Sequence, residues 1–294
     1  MPPIGFSWAY LRVLRPLQWL KNLLVFAALL FARQASDPSQ VARAAVVFAA
    51  FCLASSGLYV LNDIVDRDSD RRHPRKRLRP IASGAIRRGT GAIMAPVLAV
   101  AGLALASGSE PGALASLAGY LGLGIAYSIM LKRVVILDTL VISAGFVLRA
   151  VAGARAISVA ISPWLLICTM LLALFLVLAK RRHELLLDSG RSLGRKVLDR
   201  YTPELLDQMI SVATTGTLMS YILYAFSDQT AVKFQSHLMP LTVPFVLYGI
   251  LRYLYLIYRR DEGGEPEVLL VTDLPLLSSI ILYAVAVAAI VSVR

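Results

Sequence analysis

Charge is scarce in this chain. Asp, Glu, Lys and Arg make up 16% of its 294 residues, while 57% are hydrophobic; soluble domains carry about a quarter charged residues. Cysteine and histidine are scarcer still, at two and three. Cys52 and Cys168 both fall in apolar runs, where a thiol behaves as a small hydrophobe, so neither a disulfide nor a thiolate metal site is implied. The chain has no glycosylation sequon, no low-complexity tract and no polar segment large enough to fold alone. No cleavable leader is evident at its N-terminus. A secreted disulfide scaffold and a soluble enzyme are thereby excluded.

What the chain does have is apolar length. Mean hydropathy is +0.69, and nine apolar runs are centred near residues 25, 52, 99, 122, 143, 171, 217, 248 and 284. A helix that crosses a bilayer needs roughly 20 such residues. The expected fold is therefore all-α, a polytopic membrane protein with residues 1–294 in one domain. The first run is the weakest, since Lys21 and Asn22 interrupt it. The run GYLGLGIAY in the fourth span suits close helix packing better than phosphate binding.

A net charge of +12 raises the question of nucleic acid, but its distribution answers otherwise. If the N-terminus is cytoplasmic and all nine runs span, 23 Lys and Arg lie on the inner side and four (Arg33, Arg43, Arg155 and Lys233) on the outer side. That bias is the positive-inside rule, and no nucleic acid is needed to explain it. The expected location is the plasma (inner) membrane, multi-pass, with N-terminus and active site cytoplasmic. The polar residues also gather on that side, whereas a channel or transporter needs polar lining through the whole depth.

The stretch LNDIVDRDSDRRHPRKRLRP, residues 61–80, closes the second run. If its helix continues to Asp70, then Asn62, Asp66 and Asp70 recur at i, i+4 and i+8 and share one stripe, with Asp63 on the neighbouring face. Stacked oxygen donors call for a cation, and Mg²⁺ commonly uses one or two carboxylates plus substrate phosphates. A solvated helix end paired with its own arginines is the plainer alternative, weakened because the stripe begins inside the apolar run. Arg71, Arg72, Arg75, Lys76, Arg77 and Arg79 follow. Carboxylate-bound metal beside such a cluster is what a diphosphate requires. His73, next to Pro74, is expected to face solvent.

Two further inner clusters carry Tyr127, Lys132, Arg133 and Asp138, and then Lys180, Arg181, Arg182, His183, Glu184 and Asp188. Either one alone could be positive-inside anchoring or contact with anionic membrane lipids. Gln18, Lys21 and Asn22 bring polarity into the first span, where Trp19 reads as an interfacial anchor. Four such clusters on one side favour a shared pocket. Arg252, roughly two turns from the inner end, could reach it. Arg149, near the outer end, suits only a buried pair or a snorkelling side chain.

NDIVDRDSD matches the N-D-x-x-D-x-x-x-D motif of the UbiA superfamily of intramembrane prenyltransferases, and RPIASG resembles the R-P-x-x-x-G that follows it there. The resemblance implies nine helices around a cavity open to the cytoplasm and to lipid, with Mg²⁺-diphosphate at its mouth. RPLQWLKN, HPRKRLRPIASG, AKRRHEL and LRY…GGEPE resemble the branch of that superfamily that transfers a phosphoribosyl group to decaprenyl phosphate. Aromatic prenyltransferases of the superfamily usually carry a second Asp-rich motif after span six. KRRHELLLD stands there in this chain, keeping Glu184 and Asp188 but adding three basic residues, which suits a reaction that brings more phosphate groups together.

The implied reaction is Mg²⁺-dependent transfer from phosphoribosyl diphosphate to a polyprenyl phosphate. The alternative is an aromatic prenyltransferase that uses a polyprenyl diphosphate and a 4-hydroxybenzoate-like acceptor. Asn62, Asp66 and Asp70 are the expected metal ligands, and Asp66, Asp70 and Lys180 the catalytic set. Lys21, Lys76, Arg77 and Lys132 are expected on phosphate, Tyr59 on the ribose, and Asp63, Arg79 and Tyr127 are further expected substrate-binding residues. Lys180 and Arg181 are expected on the acceptor phosphate, with Glu184 holding one of them. The chain acting as a homo-oligomer is left open.

Overall fold

The computed structural model describes residues 6–31, 37–74, 76–187, 197–260 and 263–292. Arg75 of the basic cluster and Asp188 of the altered second motif lie outside them. Among the described residues there is no strand, and nine helices are long and apolar enough to cross a membrane: Trp8–Leu30, Pro38–Val65, Arg88–Ala106, Pro111–Ile129, Leu137–Ala156, Pro163–Leu187, Pro203–Phe226, Met239–Arg260 and Leu274–Val291. They are numbered here as spans one to nine. The protein is an all-α, multi-pass membrane protein.

Span one is the irregular one. Pro16–Phe26 winds as a 3-10 helix, entered through Arg15 in the left-handed region at φ 54°. At three residues per turn, positions i, i+3 and i+6 eclipse, so Trp19, Asn22 and Val25 form one stripe. Trp19 Nε1 donates to Ser56 Oγ at 3.1 Å, so this indole is tied to span two and not simply to an interface. Asn22 is fully buried and donates to Cys52 Sγ and Ser55 Oγ, each at 3.3 Å. Val25 meets span five at Gly153, where a Cβ would stand 1.9 Å from the Val25 carbonyl oxygen. No other residue type fits there.

Spans two and three approach just as closely. A Cβ on Gly57 would lie 2.7 Å from the Ala95 oxygen, and one on Gly102 2.8 Å from the Ala50 oxygen. In the glycine-rich run of span four only Gly124 meets a neighbour, its would-be Cβ 2.3 Å from Cδ1 of the Leu58 side chain, while Gly119 and Gly122 face open space.

Arg149 of span five is buried. Its Nε donates to Asn22 Oδ1 at 2.7 Å and its Nη2 to Tyr120 Oη at 2.8 Å, and the guanidinium lies over the Tyr120 and Phe146 rings. The hydrogen bonds and aromatic faces stand in for water around this charge. Arg252 pairs with Asp273 through Nε at 3.1 Å and Nη2 at 2.8 Å. It therefore ties span eight to the start of span nine and does not reach the pocket suggested by its depth. The Arg252 hydrogen bonds hold the Asp273 carboxyl below its usual range, and Asp273 also accepts from the Leu276 N–H at 2.9 Å.

Candidate active site

Span two ends at Val65, and a short helix, Arg67–Arg72, restarts after Asp66. Asp66 sits at φ −90°, ψ 1°, off the helical path. Backbone hydrogen bonds still bridge the kink, from Asp66 N to Asn62 O at 2.9 Å and from Asp70 N to Asp66 O at 2.8 Å. The kink divides the expected stripe. Asn62 Oδ1 and Asp66 Oδ1 converge on the Lys132 ammonium at 3.3 and 2.5 Å. Asp70 is turned instead to Arg79, whose Nη1 lies 2.7 Å from Asp70 Oδ2 and 3.2 Å from Asp63 Oδ1. Asp63, 1% exposed, also accepts from Arg15. Burial raises the Asp70 pKa above its usual value, and the Arg79 charge opposes that rise without cancelling it.

The RPIASG segment fixes this arrangement. Arg79 precedes the short helix Pro80–Ser83, which stops at Gly84 with φ 87°, a left-handed turn that glycine adopts without strain. Arg71 Nε donates to the Ala82 oxygen at 3.0 Å, closing the segment onto the Arg67–Arg72 helix. Lys76 and Arg77 lie in the 3-10 turn Lys76–Leu78, with Arg77 exposed. His73 is half-buried, and its Nδ1 accepts the Lys76 N–H at 3.3 Å, so this ring braces the turn and does not simply face solvent.

The end of span six holds a second network. Arg181 is 1% exposed. Its Nε donates to Asp138 Oδ2 at 2.9 Å, its Nη1 to Glu184 Oε2 at 2.7 Å and its Nη2 to Tyr127 Oη at 3.3 Å. Tyr201 completes the group by donating to Asp138 Oδ1 at 2.8 Å, its phenol pushed up to about 12 by burial. Arg181 is thus spent on spans four and five and on its own helix, and contact with an acceptor phosphate does not follow from this placement. Lys180, one position earlier, is half-buried.

Lys21 reaches Glu267 Oε1 at 2.5 Å and Gln18 Oε1 at 2.7 Å. Tyr59 lies under the Arg15 guanidinium, 5.1 Å from ring centroid to Cζ. Three participants here had no assigned role in the sequence: Arg15, Asp138 and Glu267. Their signal was present, since each is a charged residue next to an apolar run, but their partners lie 43 to 246 positions away. No spacing rule reaches that far.

The described residues contain no group of three His, Cys, Asp or Glu side chains able to hold a metal by themselves. The Asn62–Asp66 pair nevertheless fits one. Its two oxygens already converge on a cation, and Mg²⁺ takes few protein ligands when phosphates supply the rest.

Nine spans with acid and base massed at the ends of spans two, four and six give a polytopic membrane protein with a charged site among its helix ends. Residues 22–290 match the model of the UbiA prenyltransferase family, and the chain belongs to that family. It is 35% identical over 280 residues to a decaprenyl-phosphate phosphoribosyltransferase of Corynebacterium glutamicum, covering 92% of this chain and 82% of that one. The protein of the same description from Mycolicibacterium smegmatis is 35% identical over 286 residues, covering 92% and 89%. The fold is similar to that of a UbiA homolog from Archaeoglobus fulgidus bound to GPP and Mg²⁺, with a TM-score of 0.72 at 21% identity, covering 97% of this chain and all of the other.

Proposed function

We propose that this protein transfers the 5-phosphoribosyl group of phosphoribosyl diphosphate to a polyprenyl phosphate, releasing diphosphate, at the cytoplasmic face of the plasma membrane. The observation that carries the reading is the convergence of Asn62 and Asp66 on the Lys132 ammonium. An amide oxygen, a carboxylate and a lysine at one point can take a metal-bound diphosphate, with Lys132 turning from the two oxygens to a phosphate. Relatives described as decaprenyl-phosphate phosphoribosyltransferases support the substrate pair.

Asn62 and Asp66 would hold Mg²⁺, which when bound neutralises diphosphate charge and eases its departure. Asp70 acts through Arg79, keeping that guanidinium at the mouth of the site. Lys76 and Arg77 supply further positive charge for the phosphates. As the bond from C1 of the ribose to the diphosphate oxygen breaks, positive charge develops at C1, and an oxygen of the lipid phosphate forms the new bond. That nucleophile is already anionic near neutral pH, so no side chain has to remove a proton. Lys180 orients the acceptor, while the Arg181 network holds the end of span six in place.

The test is transfer of label from phosphoribosyl diphosphate into decaprenyl phosphate by the purified protein with Mg²⁺. Lipid-phase label that is abolished by EDTA is the expected result. Product formed only from polyprenyl diphosphate and 4-hydroxybenzoate would overturn it.

A further inference from the structure

Glu267 has no part in the chemistry above. It stands in GGEPE between spans eight and nine, and the local sequence delivers it to the site. A Cβ on Gly263 would lie 3.0 Å from the Ala179 oxygen, and one on Gly264 2.5 Å from the His183 ring, so the two glycines let this segment lie against the end of span six. Pro266 then opens the helix Pro266–Thr272 with Glu267 in its first turn, and Oε1 meets Lys21 Nζ at 2.5 Å. Lys180 and Tyr59 lie within electrostatic range of the same carboxylate. Burial works to raise its pKa, but the charge and hydrogen bond of Lys21, with a backbone hydrogen bond and the Lys180 charge, together hold it below the usual value. Glu267 is therefore ionised at neutral pH.

An ionised carboxylate repels phosphate. In a site that otherwise collects phosphates it suits a neutral donor, and the ribose of phosphoribosyl diphosphate offers hydroxyls on C2 and C3. Carboxylates take ribose hydroxyls in nucleotide sites of unrelated folds, whereas a prenyl chain has no such group. The Tyr253 hydroxyl is buried, has no hydrogen-bond partner among the described residues and lies within electrostatic range of Glu267. We infer that Glu267, held by Lys21, accepts hydrogen bonds from the ribose hydroxyls and so selects a sugar donor over a prenyl diphosphate. This inference rests on the phosphoribosyl reading.

The test compares phosphoribosyl diphosphate with its 2-deoxyribosyl counterpart, using the full-length protein, Mg²⁺ and decaprenyl phosphate. Loss of a hydrogen bond to a charged group corresponds to about tenfold to a hundredfold in kcat/KM, and the wild type should prefer the ribosyl donor by that much. Glu267→Ala should bring the two donors to within about threefold of each other by raising KM for the ribosyl donor alone. Glu267→Gln, which keeps an acceptor oxygen and a partner for Lys21, should fall between. Equal losses on both donors with the preference intact would overturn the inference and reduce Glu267 to a prop for Lys21; Glu267→Gln decides this if Glu267→Ala does not fold. A wild type that transfers neither sugar would overturn the phosphoribosyl reading and this inference with it.

Discussion

Arg181 and Lys180 are neighbours in sequence and point about 100° apart on one helix. Their composition alone could not tell which faces inward, and both read as phosphate ligands. The structure separates them, because Asp138, fully buried, needs a cation and Arg181 is the one that meets it. Removing one partner of a buried pair costs about 3–5 kcal/mol, since the other charge is left unpaired. Arg181→Met should therefore lower the thermal midpoint sharply, while Lys180→Met melts near the wild type and loses use of lipid phosphate. Equal melting of the two variants would contradict this division. The kink at Asp66 was illegible for a related reason. Spacing places Asn62, Asp66 and Asp70 on one stripe, but Asn62 and Asp66 take Lys132 as partner, whereas Asp70 shares Arg79 with Asp63 across the kink.

At the scale of elements, the apolar runs were legible. Every centre read from the sequence falls inside one of the nine helices, because about 20 apolar residues in a row have few other fates in a membrane. The winding of span one was not. Its polar residues looked like interruptions, yet the 3-10 stretch aims Asn22 at Cys52, Ser55 and Arg149, partners that the sequence leaves far apart. Gly153 sets how near span five comes to that stretch. Gly153→Ala forces the two apart, and overpacking of this kind costs about 1–3 kcal/mol. The variant should melt earlier and lose activity as Lys21 shifts with span one. Unchanged melting and activity would show that the contact is soft.

At the scale of the whole molecule, charge distribution and chemistry coincide. Basic residues that orient a membrane protein are also the kind that bind phosphates, and the sequence alone cannot separate the two uses. Geometry begins to do so. Arg252 serves packing through Asp273, Arg181 serves packing through Asp138, and Lys132 stands where two oxygen donors meet. The account depends on that last point being the place where the donor diphosphate is held. The most direct measurement is calorimetric binding of phosphoribosyl diphosphate to the purified wild type and to Asp66→Ala, with and without Mg²⁺. Binding by the wild type that requires Mg²⁺, and its loss in a variant that melts like the wild type, is the predicted result. Mg²⁺-dependent binding of equal strength by Asp66→Ala would contradict it.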